Sequence, residues 1–125
     1  MINHNNRPSI SIVLAALSAS AVVPLLYAHK KMKVLAISLV QEGAITASGA
    51  NYLTYQAKKN NVAVGTAVDT QAGLAARVAK ALVMPAAGYI ELEAGDYLAL
   101  DVAETGTFAE GTLLLAQLDV EIVGN

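Results

Sequence analysis

The sequence predicts an all-β protein: an antiparallel β-sandwich of about eight strands, with little helix. Three observations carry that prediction. Aliphatic runs such as KVLAISLV, NVAVGTAV and TLLLAQLDVEIV recur along the chain, separated by breaks containing Gly, Pro or Asn. Several runs alternate apolar and polar residues, as NYLTYQAK and YIELE do, which is the period of a half-buried strand. Hydrophobic residues make up 55% of the chain and charged residues 14%, against the roughly 25% charged that is usual. That supplies apolar surface for two packed sheets and excludes disorder.

Taken in order, MINHNNRPSI is polar and Asn-rich with a helix-disfavouring proline, and residues 1–10 read as an arm. Residues 11–125 read as a single β-sandwich domain, the usual organisation for a chain of 125 residues. The uncharged stretch SISIVLAALSASAVVPLLYA has the length of a membrane span and flanking basic residues. It also has the outline of a secretory signal. Four serines and Pro24 dilute it, however, and later runs are equally aliphatic. It is therefore expected to form two strands, about Ile10–Leu17 and Ala21–Ala28, broken near Pro24.

MKVLAISLVQ is apolar at both alternating sets of positions and predicts a strand buried on both faces. EGAITASGA is a loop. In NYLTYQAK, Leu53, Tyr55 and Ala57 face inward, and KKNN then turns the chain into VAVGTAV as a hairpin. Leu74, Val78 and Leu82 fall at helical spacing. They suggest a short helix or turn near Thr70–Ala76, followed by a strand up to Met84. YIELEAGDYLALDV reads as a second hairpin turning at Ala94-Gly95-Asp96, with Ile90, Leu92, Leu98, Leu100 and Val102 on its apolar face. In the final strand Leu114, Ala116, Leu118, Val120 and Ile122 point in, while Gln117, Asp119 and Glu121 point out. Eight strands spaced by turns suit a jelly-roll arrangement.

Residue chemistry argues against catalysis. No cysteine is present, so disulfides and thiolate metal sites are excluded. His4 and His29 are the two histidines, and no serine sits in a nucleophile-elbow pattern. Glu91, Glu93, Asp96 and Asp101 gather near one turn, where carboxylates can hold calcium. Their alternation with apolar residues instead predicts a solvated face that binds no metal. A net charge of −2 gives no basic field for nucleic acid. Lys30, Lys31 and Lys33 with Lys58 and Lys59 form at most a local patch, better suited to an anionic protein surface. The reading is a non-enzymatic protein with no cofactor, no nucleic-acid partner and no membrane.

Two strands offer more apolar surface than one interior can cover. Leu35, Ile37 and Leu39, together with Leu113 and Leu115, are therefore expected at a subunit interface. Arg7 and Pro8 of the arm are expected to lie along a neighbour, and Lys30 and Lys31 to join the same contact.

The succession LLYAHKKMKVLAISLV, NYLTYQAKKNNVAV, LEAGDYLALDVAETGT and LLLAQLDVEIV resembles the capsid decoration, or cement, proteins of tailed bacteriophages. Those are small proteins with one jelly-roll-like sandwich. The likeness runs from about Ala19 to Val123 as a pattern of strands and turns. Its most recognisable piece is AGD followed by aliphatic alternation, a turn that cupin-like barrels also use. The metal-binding histidines of a cupin enzyme are missing. The resemblance implies a structural virion protein made in the host bacterial cytoplasm and sited on the capsid surface. It would be a homotrimer near threefold positions that binds the major capsid protein between capsomers and stabilises the head. No functional residue carries over from it. The alternatives are a head-fibre or tail-associated virion protein, or a carbohydrate-binding β-sandwich module using Tyr52, Tyr89 and Tyr97 as platforms.

Overall fold

A computed structural model describes residues 7–14, 20–109 and 114–123. The strands are β1 (Ser9–Leu14), β2 (Ala21–Tyr27), β3 (Met32–Gln41), β4 (Tyr52–Lys59), β5 (Val62–Ala63), β6 (Val68–Asp69), β7 (Ala79–Ala81), β8 (Ile90–Leu92), β9 (Tyr97–Thr105) and β10 (Leu114–Ile122). They form two antiparallel sheets. Sheet A has the order β1-β10-β3-β7 with β8 also on β3, and sheet B the order β2-β9-β4-β5 with β6 also on β4.

The ten segments occupy eight strand positions. β7 pairs with the end of β3 and β8 with its start, so the two are one edge strand interrupted between them. β5 and β6 divide the edge beside β4 in the same way. With those pairs merged, successive strands cross between the sheets at every connection except the one after β4. That is a jelly-roll β-sandwich, as the turn spacing predicted.

The interior lies between the sheets. Ile37, Leu39, Leu114 and Leu118 from sheet A meet Leu53, Tyr55, Leu98 and Leu100 from sheet B, all of them buried. A polar contact lies within this core: Gln41 Nε2 donates to the Tyr55 hydroxyl at 2.9 Å. Burial pushes the Tyr55 hydroxyl pKa up, and the Gln41 bond opposes that in part.

Several expectations hold in detail. The opening stretch supplies strands β1 and β2 in opposite sheets, residues 15–19 lying outside the described residues. Asn60 and Asn61, with φ of 50° and 68°, make the two-residue turn after β4 in the left-handed geometry that matches strand twist. The inward faces of β4 and β10 are those expected, although Ile122 is half-exposed at the strand end.

Three expectations are corrected. β3 is buried on one face and half-exposed on the other. Its burial alternation also changes phase at Leu35–Ala36, where a bulge shifts the register against Asp119 and Val120. Of the two forms expected for residues 70–76, helix or turn, the chain takes turns. The Asp69 carboxylate accepts the Gln71 N–H, Gly73 takes a φ of 81°, and Leu74 bridges to Ile45. YIELEAGDYLALDV is not a hairpin, because β8 pairs in sheet A and β9 in sheet B. Its two apolar faces meet across the core, an arrangement that yields the same alternation. Ser9 and Ile10, expected in the arm, belong to β1 and pair with Asp119 and Leu118.

Candidate functional site

In an edge-to-edge sheet, alternate residues of each strand face away from the core and line up across the register. On sheet A one such row is Val13, Leu115, Val40 and Ala79, set side by side by the pairings of β1, β10, β3 and β7. The neighbouring row is Ser11, Gln117, Ser38 and Ala81. The outer face is thus uncharged and apolar at one end, and small and polar towards its middle. Val13 is 72% exposed. With Val40, Leu114, Leu115, Gln41 and Glu42 it lines an open depression of about 280 Å³.

The opposite end of the sandwich has a different character. There the turn after β4 meets the turn before β9. Asn60 Nδ2 donates to Asp96 Oδ1 at 3.0 Å, and the Glu93 N–H donates to Asp96 Oδ2 at 2.8 Å. These bonds, led by Asn60 and helped by Lys59, hold the Asp96 carboxyl below its usual pKa. The Gly95 N–H donates to the Ala28 carbonyl, and Ala28 N–H to that of Asp96, tying the turn to the end of β2. Gly95 has a φ of 92°, which suits glycine.

Three of the five lysines named above pair with carboxylates here. Lys58 pairs with Asp101 at 2.7 Å, Lys59 with Asp96 at 3.6 Å and Lys31 with Glu93 at 3.6 Å. Lys33 lies over the Tyr89 ring, 4.5 Å from its centroid. Glu91 stands on β8 in sheet A and Asp101 on β9 in sheet B, so the carboxylates point from different sheets. Among the described residues, no group of three or more His, Cys, Asp or Glu is placed to hold a metal ion.

The expected interface residues divide. Ile37 and Leu39 do not belong to a surface, since the bulge turns them into the core at 0% and 1% exposure. Leu35 is half-buried at the bulge, Leu115 lies on the outer face of sheet A, and Leu113 lies outside the described residues. Arg7 is drawn back onto its own chain. Its Nε and Nη2 donate to Glu121 Oε2 at 3.1 and 2.8 Å. The Pro8 carbonyl accepts the Val120 N–H. Lys30 is exposed, and Lys31 is half-buried beside Glu93. Tyr52 and Tyr97 sit at opposite ends of the β4–β9 pair and Tyr89 precedes β8 in the other sheet, so they form no common platform.

Sequence reading missed Val13 and Val40 as surface residues. Each sits in a run that looks like core, and only cross-strand register places them beside Leu115. Compared with known proteins, the chain matches no protein-family model and no curated protein.

Proposed function

We propose that this chain is a structural virion protein: a decoration protein that binds the outside of a phage head and stabilises it by bridging neighbouring capsomers. The observation that supports this reading best is the uncharged outer row of sheet A, Val13–Leu115–Val40–Ala79, with Val13 72% exposed. Exposed apolar surface of this kind marks contact sites. A stable contact covers about 800 Å² per partner, so the row forms the apolar centre of a larger footprint whose rim is polar. The resemblance to cement proteins supplies the identity of the partner, the major capsid protein. The homotrimeric state comes from that resemblance as well.

The compensated charges at the other end of the sandwich sharpen the mechanism. Lysines already paired with carboxylates on the same chain leave little field to steer an acidic partner. Attachment then rests on apolar burial and depends weakly on salt. The test is cosedimentation of the purified protein with phage heads assembled from a major capsid protein, one encoded beside its gene where the neighbourhood holds it. Saturable binding should persist between about 50 mM and about 500 mM salt and be lost in a Val13→Asp, Leu115→Asp variant. Failure of the folded protein to bind such heads at either salt would sink the proposal.

A further inference from the structure

Each sheet has two edges, and three of the four edges are blunted. The edge beside β4 is split at Gly65 into β5 and β6, and the edge beside β3 is split into β7 and β8. These two are joined across the side of the sandwich by the Thr66–Val83 bridge. β2 carries Pro24 and a bulge between Pro24 and Leu26, both devices that discourage further pairing. β1 has none of these. Its six residues, SISIVL, pair with β10 in unbroken register and contain no charge, proline or glycine.

The hydrogen-bond phase of β1 is also defined. The Val120 N–H donates to the Pro8 carbonyl, so Pro8 and Val120 face each other as a bonded pair. In antiparallel pairing bonded positions alternate. Ile10, Ile12 and Leu14 therefore spend their backbone groups on β10, while those of Ser9, Ser11 and Val13 point away from the sheet. Among the described residues no strand takes them. Ile10 and Ile12, on the inward side, are only partly buried against the core.

We propose that β1 is a self-pairing edge, joined by β1 of a second copy in antiparallel register about a twofold axis at Ser11. This goes beyond the reading as a decoration protein: it puts a twofold pair in place of the homotrimer that the resemblance implies, and the rest of that reading stands independently of it. With the axis at Ser11, Ser9 faces Val13 of the second copy, Ser11 faces Ser11, and Val13 faces Ser9. All three outward-pointing residues of each chain then exchange backbone hydrogen bonds. Ile10 and Ile12 face Ile12 and Ile10 and cover one another at the open side of the sandwich. No charged residue lies within either strand, and Arg7 is already held by its own Glu121, so no like charges are brought together. The contact is isologous and closes at two copies, and it joins the two A sheets into one continuous sheet.

Light scattering or native mass spectrometry at micromolar concentration tests this, with a mass of twice the 12.9 kDa chain expected. Ser11→Pro removes an N–H that points away from β10, so the fold survives and the dimer is lost. The chain has no cysteine of its own. Ser11→Cys should therefore crosslink to its copy under mild air oxidation, because bonded pairs lie about 5.5 Å apart at Cα, within disulfide reach. Ser9→Cys, remote from its own copy in this register, should not. A monomer or a sharp trimer would overturn the pairing, as would Ser11→Cys crosslinking no faster than Ser9→Cys. A monomer that binds heads through an edge sensitive to Ser11→Pro would assign the edge to a capsid strand instead. Dimers that bind no head would leave the pairing standing and remove the decoration reading.

Discussion

The two long sides of this sandwich are finished in opposite ways. On one side, Gly65 at a φ of 74° lets the chain pass directly against Val83, and the Thr66–Val83 bridge couples one sheet to the other. On the other side, β1 and β2 form the outer edges of their sheets among the described residues, with Val13 and Val22 exposed. The closed side is tied within the chain by the Thr66–Val83 bridge. The open side leaves a row of hydrogen-bonding groups for water or a partner, while exposed valines occur on both sides, Val62 and Val83 on the closed one. On the proposed reading, folding stability and association fall to separate residues, so each can be altered without the other.

The largest effect should come from the interior that both sides enclose. Leu39→Ala empties a fully buried position and should cost about 3 kcal/mol, within the usual 2–5, read by urea unfolding. Had Leu39 lain on an interface, the loss would appear in oligomer mass instead.

Closing the side depends on Gly65, where a Cβ would run into the Val83 carbonyl oxygen and the backbone is left-handed. Gly65→Val should lower unfolding stability by about 2–3 kcal/mol. Oligomer mass measured well below the melting temperature should not change. A change in mass with no change in stability would reverse the assignment of the two sides.

Asn60 is a smaller component of the same self-sufficiency. It adopts a positive φ, its side chain bonds Asp96, and its Oδ1 accepts the Tyr97 N–H. Asn60→Ala should cost about 1–2 kcal/mol, measured as a shift of the urea midpoint at neutral pH. On the open outer face, Leu115→Ser should change stability by no more than about 0.5 kcal/mol while weakening attachment to heads. A loss as large as that of Leu39→Ala would mean that the row is structural.

The smallest effect is a pH dependence at the tied turn. The folded state depresses the Asp96 pKa, first through Asn60, then through the Glu93 N–H and Lys59. A depressed carboxylate stabilises the fold above its unfolded value of about 3.9, and that contribution is lost as pH falls through the folded value. Thermal melts should therefore drop below about pH 4, and Asp96→Asn should flatten that part of the profile. An identical acid profile in the variant would remove Asp96 from the turn's stability.

Alternation along single strands was enough to read the sandwich, the inward faces of β4 and β10, and the Asn60–Asn61 turn. Period-two patterning and left-handed turn chemistry are local properties of the chain. The same local signal could not say which sheet a strand joins. For that reason Ile90 and Leu92 looked like hairpin partners of Leu98 and Leu100, although they face them across the core. Nor could it locate the bulge at Leu35–Ala36, which depends on the pairing of β3 with β10 and which sends Ile37 and Leu39 inward. The outer row of Val13, Leu115 and Val40 brings together residues from three strands far apart in sequence. Its members were legible as apolar. Whether they point to the core or to a partner was decided by cross-strand register, because a shift of one residue exchanges the two faces of a strand.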